Sequence, residues 1–241
     1  MEMKTSAIVL HALKYGESQL IVDLFTRDAG RVSFFCHLPK SNKGKIKKQL
    51  FQPLTLLEVV FDYRPQASMQ RFRDLRLAKP FGSVPFDPVK LSISLFLAEF
   101  LNYATRNEQQ NELLYDYVED SLLWLDNVSE QYANFHLVFM MRLSLFVGFF
   151  PNLDKACDGA FFDFRAGCFV RQQPLHPDFL PPADAARLRV LMRMTFDNMH
   201  LFAMSRVERN LCVDFILKYY RLHFPDFPEM KSLDVMKSLF A

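Results

Sequence analysis

The fold is decided by residues 20–36, which read Leu20-Ile21-Val22-Asp23-Leu24-Phe25-Thr26-Arg27-Asp28-Ala29-Gly30-Arg31-Val32-Ser33-Phe34-Phe35-Cys36. Two runs rich in β-branched and aromatic residues flank Arg27-Asp28-Ala29-Gly30. That segment reads as a tight hairpin turn in which Gly30 can supply a positive φ. Upstream, Ala7-Ile8-Val9-Leu10 opens another such run. Downstream come Leu54–Phe61, and then Gln70–Leu77, which alternates polar and apolar residues as a half-buried strand does. Five short strands in about eighty residues fit a small barrel, for which the five-stranded OB-fold is the natural candidate.

The character of the chain changes at Lys79-Pro80-Phe81-Gly82-Ser83-Val84-Pro85-Phe86-Asp87-Pro88, where prolines and a glycine mark a boundary. Asp87-Pro88 reads as a helix start, an N-cap followed by proline in the first turn. Apolar residues then recur at helical spacing. Leu91, Leu95, Ala98 and Leu101 form one stripe, Leu113, Leu114, Tyr117, Leu122 and Leu125 a second, and Phe135, Phe139, Leu143, Phe146 and Val147 a third. After Gly148-Phe149-Phe150-Pro151 an irregular stretch runs to about Pro182, and helical pattern resumes over 184–200 and 205–224. The expected class is therefore α+β: a barrel over residues 1–80, then a mostly helical domain over 81–241 with an irregular insert at about 151–182.

Half of the 241 residues are hydrophobic and 23% are charged, a composition that supports a core and excludes a disordered chain. Glycine is scarce, and neither GxGxxG nor GxxxxGK[ST] occurs, which argues against a nucleotide-phosphate loop. No apolar run is long enough for a membrane span, and the start lacks an apolar signal core, so a cytoplasmic protein is expected. The net charge of +2 hides a split. Residues 1–80 carry 14 Lys+Arg against 7 Asp+Glu, a net of +7, and residues 81–241 carry 15 against 20, a net of −5. Such asymmetry points to a polyanionic partner for the basic part.

The sharpest local feature is Lys40, Lys43, Lys45, Lys47 and Lys48, with no acid between them. Their ammonium groups repel one another unless water or phosphate neutralises them. Phosphate contacts would give salt-dependent, sequence-independent affinity, whereas a solvated loop would give none. Arg27, Arg31, Arg71 and Arg73 belong to the same barrel, and the alternation puts Arg71 and Arg73 on one sheet face. Exposed aromatic rings there could stack on bases, with Phe34, Phe35 and Phe72 as candidates, although each also suits a core. Elsewhere Cys157 and Cys168, with His176 and nearby aspartates, lack the paired short spacings of a structural zinc site, so no cofactor is expected. The six histidines show no HExxH, and there is no GxSxG. The eight acids from Glu99 to Glu130 scatter over helices and read as a solvated face.

Several of these segments together resemble the RecO family of bacterial recombination mediators. They are Ala7–Leu10, Tyr15-Gly16-Glu17-Ser18, Leu24-Phe25-Thr26-Arg27, Gly30-Arg31, the lysine segment, and Gln52-Pro53-Leu54-Thr55-Leu56-Leu57-Glu58. Arg142, Gly148-Phe149, Pro151-Asn152-Leu153-Asp154, Leu217 and Lys231-Ser232-Leu233 extend the likeness into the second half. The resemblance implies an N-terminal OB-fold followed by a helical domain. It implies a non-enzymatic DNA repair and recombination mediator that binds single- and double-stranded DNA and anneals complementary strands. As partners it implies the C-terminal tail of the single-stranded-DNA-binding protein and RecR, with RecA loaded as the outcome and the protein associated with the nucleoid. An acidic tail ending in an apolar carboxylate calls for an apolar groove with arginines, and Arg142 and Arg193 are the candidates. Many members carry a four-cysteine zinc module after the central helix. Only Cys157 and Cys168 stand near that place here, so the module reads as vestigial. Two other classes stay open at this point: a metal-dependent nucleic-acid-processing enzyme using the carboxylates, and a protein–protein scaffold whose basic loop is incidental.

Overall fold

The computed structural model describes residues 1–38 and 47–239. It divides into two compact units, one spanning Met1–Asn127 with Met230–Met236, the other Val128–Glu229 with the residues from Lys237. Among the described residues no helix is long and apolar enough to cross a membrane.

The first unit is built on five antiparallel strands, β1 (Glu2–Tyr15), β2 (Gln19–Thr26), β3 (Gly30–His37), β4 (Leu56–Asp62) and β5 (Phe72–Lys79), in the order β3-β2-β1-β4-β5. The β2–β3 turn is the expected hairpin: Thr26 pairs with Gly30, whose φ is +64°. The Thr26 hydroxyl caps the turn by accepting from the Ala29 N–H (3.2 Å) and donating to the Gly30 carbonyl (2.8 Å). Alternate residues point inward. Val9, Leu20, Val22, Leu24, Phe34, Val59, Phe61 and Leu75 form one buried cluster, with the Phe34 and Phe72 rings stacked at 4.2 Å. Fully burying a residue of this size contributes roughly 1.5–3 kcal/mol, so the cluster outweighs any single surface contact.

The sheet does not close as a continuous ladder. Among the described residues, β3 meets the segment just before β5 at one parallel bridge, between Phe34 and Gln70, where the Gln70 N–H donates to the Ser33 carbonyl (2.8 Å) and the Phe35 N–H to the Gln70 carbonyl (2.9 Å). This is the partly open five-stranded OB arrangement. β1 runs on from the Ala7–Leu10 run to Tyr15, and a register shift between Val9 and His11 changes which residues face outward beyond it.

Helix α1 (Pro88–Ala104) begins where the sequence indicates: Asp87 accepts from the N–H groups of Val89 (2.8 Å) and Lys90 (3.1 Å), with Pro88 in the first turn. Together with α2 (Glu112–Asn127) it belongs to the same unit as the sheet. The outward row Phe25–Ile8–Leu56 is fully buried beneath this layer, and Phe25 meets the Tyr115 ring of α2 at 5.9 Å.

The second unit is centred on α3 (Phe135–Phe146), which is apolar all round and almost wholly buried. It packs with α4 (Pro182–Leu191) and α5 (Arg206–His223), and α5 starts with a Ser205/Glu208 capping box. A short helix, α6 (Leu233–Ser238), begins within Met230–Met236, the segment that belongs to the first unit. Two expectations change here. The stretch expected to be irregular over 151–182 contains a three-stranded sheet, β6 (Phe161–Asp163), β7 (Cys168–Val170) and β8 (Phe179–Leu180), in the order β7-β6-β8. The helix expected over 184–200 stops at Leu191. The Thr195 and Asn198 side chains there bond local backbone, the Thr195 N–H donating to Asn198 Oδ1 (2.7 Å) and the Asn198 N–H to Thr195 Oγ1 (3.2 Å).

Candidate nucleic-acid interface

The outer face of the sheet is covered by helices at one end and open at the other. Beyond the β1 bulge the registers set two rows across three strands, Leu13–Ile21–Phe35 and Tyr15–Gln19–His37. Leu13 and Tyr15 are 52% and 56% exposed, and His37 is exposed as well. The Tyr15 and Phe35 rings meet edge-on at 6.2 Å, and Phe35 and His37 at 5.3 Å. The Arg71 guanidinium sits 5.9 Å above the Phe35 ring. Aromatic side chains therefore line an open strand face with a cation over one of them, a surface that bases can stack on.

Two loops flank this face. The β1–β2 turn uses Gly16 at φ +70°. The β4–β5 loop is held by Gln70, which is only 5% exposed. Its Nε2 donates to the carbonyls of Arg64 (2.9 Å) and Ala67 (3.3 Å), and its Oε1 accepts from the Arg64 N–H (3.0 Å). This clamp fixes the backbone immediately before Arg71. None of Tyr15, His37, Arg64 and Gln70 is among the nucleic-acid-binding residues expected from sequence. Alternation continued past a bulge would have found Tyr15, but no local signal marks Gln70.

The expected cations fall into two groups. Arg27 bonds Asp116 (2.9 Å) and Glu112 (2.9 Å), and these carboxylates hold its pKa above the ordinary value. Arg31 bonds Asp23 (3.1 Å), the Asn102 carbonyl and Asn102 Oδ1 (2.9 Å). Arg73 bonds Glu2 (2.5 Å) and Asp62 (2.7 Å), which raise its pKa in that order, and Arg76 bonds Glu58 (2.5 Å). By contrast Lys14, Lys47, Lys48, Arg64 and Arg71 are exposed and have no carboxylate partner among the described residues. Lys40, Lys43 and Lys45 lie outside the described residues. Of the aromatic candidates, Phe34 and Phe72 are stacked in the core, and Phe35 alone faces outward.

Several of the acids from Glu99 to Glu130 hold backbone or cations, while Asp120 and Glu130 are exposed as a solvated face would be. Glu99 accepts from the Lys231 and Ser232 N–H groups (2.9 and 2.8 Å), Glu119 holds Lys79 (3.2 Å), and Asp126 accepts from the N–H groups of Gly82, Ser83 and Val84 (2.8–2.9 Å). Arg142 donates from Nε and Nη2 to the Met194 carbonyl (3.3 and 3.2 Å), while Arg193 is exposed. Cys157 is exposed and Cys168 is half-buried on β7. Among the described residues no three His, Cys, Asp or Glu side chains are grouped to hold a metal, so these residues do not fit a four-cysteine zinc module. Packed rings hold this region instead. Phe162 meets Phe164 (5.6 Å), Phe169 (5.1 Å) and Tyr219 (5.9 Å), and the Tyr219 hydroxyl donates to the Phe149 carbonyl (2.7 Å).

Comparison with known proteins agrees with this architecture. The family models described as Recombination protein O N terminal and Recombination protein O C terminal match residues 1–81 and 85–233. The DNA repair protein RecO of Phocaeicola vulgatus is 49% identical over 241 residues, all of both chains, as is that of Bacteroides fragilis. The RecO of Porphyromonas gingivalis is 37% identical over 246 aligned positions, again covering both chains completely. Matched in both halves and from end to end, the chain belongs to the recombination protein O (RecO) family.

Proposed function

We propose that this protein is a non-enzymatic DNA repair and recombination mediator that binds single- and double-stranded DNA on the open face of its OB unit and anneals complementary strands. The observation that carries the reading is a coincidence of two features. The open end of the sheet bears the exposed Tyr15 and His37 with Phe35 between them, and the β4–β5 loop beside it bears Arg64 and Arg71, cations without carboxylate partners among the described residues. The name of the relatives, DNA repair protein RecO, supports the role in repair and recombination.

The chemistry is electrostatic and geometric, with no bond made or broken. Phosphate contacts from Arg71, Lys47 and Lys48, and from Lys40, Lys43 and Lys45 in the same basic segment, release counterions and lower the repulsion between two strands. Arg27, Arg31 and Arg73, held by carboxylates or amides, add only to the longer-range field. A base stacked on Tyr15 or Phe35 presents its π-face to the protein and leaves its Watson–Crick edge open to a complementary strand. In this reading the protein hands DNA coated by the single-stranded-DNA-binding protein to RecA together with RecR. It contacts the acidic tail of the coating protein through the second unit, where Arg193 is exposed.

Anisotropy titration of oligothymidylate over a salt series tests the reading. Replacing Lys43, Lys45, Lys47 and Lys48 with alanine should flatten the slope of log K against log salt by up to about three. Phe35→Ala and Tyr15→Ala should each weaken binding by about 1–3 kcal/mol with the slope retained. Unchanged affinity and slope in all of these variants would overturn the assignment of this face.

A further inference from the structure

We infer that a cleft of the second unit, at the start of α3, takes a nucleobase edge-first, either as a free nucleoside or as an unstacked base of a strand. The cleft has a volume of about 430 Å³ and is walled by Asn134, Met199, His200, Phe202, Met204 and Arg209. That is within the range of ordinary ligand pockets. All six residues lie in the second unit, so the site is no part of the open strand face of the first and does not rest on it.

The polar atom that marks the site is Oδ1 of Asn134. Asn134 stands immediately before α3, at the N-cap position, where an asparagine oxygen ordinarily accepts an N–H of the first turn. Among the described residues no such bond forms. The side-chain nitrogen donates instead to the carbonyls of Met199 (3.2 Å) and Phe202 (2.9 Å). Exchanging the two ends of the amide would set its oxygen against both carbonyls, so the partners fix its orientation. Asn134 is 5% exposed, and its Oδ1 has no hydrogen-bond partner among the described residues. A buried acceptor left open is costly, and an N–H donor entering the cleft would satisfy it.

The walls select a flat guest. The Phe202 ring is half-buried and the His200 imidazole exposed, and Arg209 Nη1 donates to the Met204 carbonyl (2.5 Å), which ties the planar guanidinium to the wall. Met199 and Met204 add thioethers, which pack well against rings. Bases stack on aromatic and guanidinium planes of this kind. Among the described residues no acidic side chain lines the cleft. A carboxylate guest would set oxygen against oxygen at Asn134, so an acidic peptide is the poorer fit. The lone acceptor also discriminates among bases. Adenine and cytosine offer an exocyclic amine, whereas thymine offers an N–H only between two carbonyl oxygens, which Oδ1 repels.

The test titrates the full-length chain with deoxycytidine, deoxyadenosine and thymidine by calorimetry. Deoxycytidine and deoxyadenosine should bind about three- to tenfold more tightly than thymidine, the worth of one hydrogen bond. Asn134→Ala should remove that preference. Ala203→Trp, at an exposed position of the lining, should block entry and abolish nucleoside binding with unchanged melting. Oligodeoxycytidylate separates the two sources: weaker binding to Ala203→Trp assigns the cleft to a base in a strand, and unchanged binding assigns it to a free nucleoside. Oligothymidylate affinity should be unchanged in both variants, so failure here leaves the reading of the open strand face standing. The inference is overturned if no nucleoside binds, if all three bind equally, or if Ala203→Trp binds them as well as the parent. Should Asn134→Ala unfold, Ala203→Trp and the ranking of the three nucleosides decide the question, because neither disturbs the bonds of Asn134 to Met199 and Phe202.

Discussion

Gln70→Ala tests how the two edges of the sheet and the loop carrying Arg71 are held together. The substitution removes three side-chain hydrogen bonds, those to the Arg64 N–H (3.0 Å), the Arg64 carbonyl (2.9 Å) and the Ala67 carbonyl (3.3 Å). It leaves both backbone bonds of Gln70 to β3 formally available. At about 0.5–1.5 kcal/mol each, three neutral bonds sum to roughly 1.5–4.5 kcal/mol. Arg64 and Ala67 are exposed, so water replaces the lost partners and the cost falls toward the lower half, about 2 kcal/mol. For a chain of this length that corresponds to a melting-temperature drop of about 4–8 °C. Gln70→Glu discriminates further. It can still accept from the Arg64 N–H but turns a carboxylate toward two carbonyl oxygens, so it should be at least as destabilising. Urea unfolding followed by circular dichroism measures both, and oligothymidylate anisotropy should show weaker binding because Arg71 is no longer held over Phe35. A loss below about 0.5 kcal/mol in Gln70→Ala, or a Gln70→Glu variant as stable as the parent, would refute the clamp.

Gly30→Ala places a Cβ within 2.6 Å of the Glu108 carbonyl oxygen and against the Gln109 backbone, at a φ of +64°. With about 1–2 kcal/mol for the left-handed backbone and the displacement of the 108–109 segment added, thermal melting should report a loss of at least about 3 kcal/mol; a loss under about 1 kcal/mol would contradict the close approach. Burial pushes the Asp126 carboxyl up, but the backbone N–H groups of Val84, Gly82 and Ser83 together hold it below its usual range. Its stabilisation is therefore full above the unfolded carboxylate pKa of about 3.9 and lost as pH falls through the lower folded value, so Asp126→Ala should cost about 2–3 kcal/mol at neutral pH and progressively less in acid. Burial, aided by the Arg209 charge, holds the His136 imidazole down at about 3. Below about pH 6.5 the unfolded chain takes up a proton that the folded chain refuses, so stability should fall by up to about 1.4 kcal/mol per pH unit, a slope that His136→Gln should flatten and whose persistence in that variant would assign it elsewhere.

The strands were legible because one of their faces is buried. The β-branched and aromatic runs Leu20–Thr26 and Arg31–Cys36 favour paired strands, and Gly30 between them permits the turn. The end of β1 was not legible, because the shift between Val9 and His11 breaks the count on which alternation depends. Tyr15, a central residue of the candidate interface, lies beyond that break. The strands of the β7-β6-β8 sheet are two or three residues long, too short to show a period at all. Helix α4 stops early because Thr195 and Asn198 bond their own backbone, a competition that apolar spacing does not reveal. The ion pairs were illegible for a different reason: Arg27 finds Asp116 across 89 residues of sequence.

The charge split sharpens once those pairs are counted. As a sum, the net +7 of residues 1–80 suggests a barrel that is positive everywhere. In the folded unit Arg27, Arg31, Arg73, Arg76 and Lys79 face carboxylates, several of them supplied by α2, so much of the sheet surface is close to neutral. The excess remains on Lys14, Arg64, Arg71, Lys47 and Lys48, with the rest of the lysine segment beside them in sequence. Neutralised arginines cannot release counterions without first giving up a carboxylate, so their number overstates the salt dependence that a sequence count implies. Local excess matters more than the total, and Arg71 places part of it directly over an aromatic ring of the open strand face. A polyanion drawn there by charge meets rings that bind it by stacking, and stacking persists at salt concentrations that screen the phosphate contacts. In the proposed function the same unit captures a strand by charge and holds it by its bases, the combination that strand annealing needs.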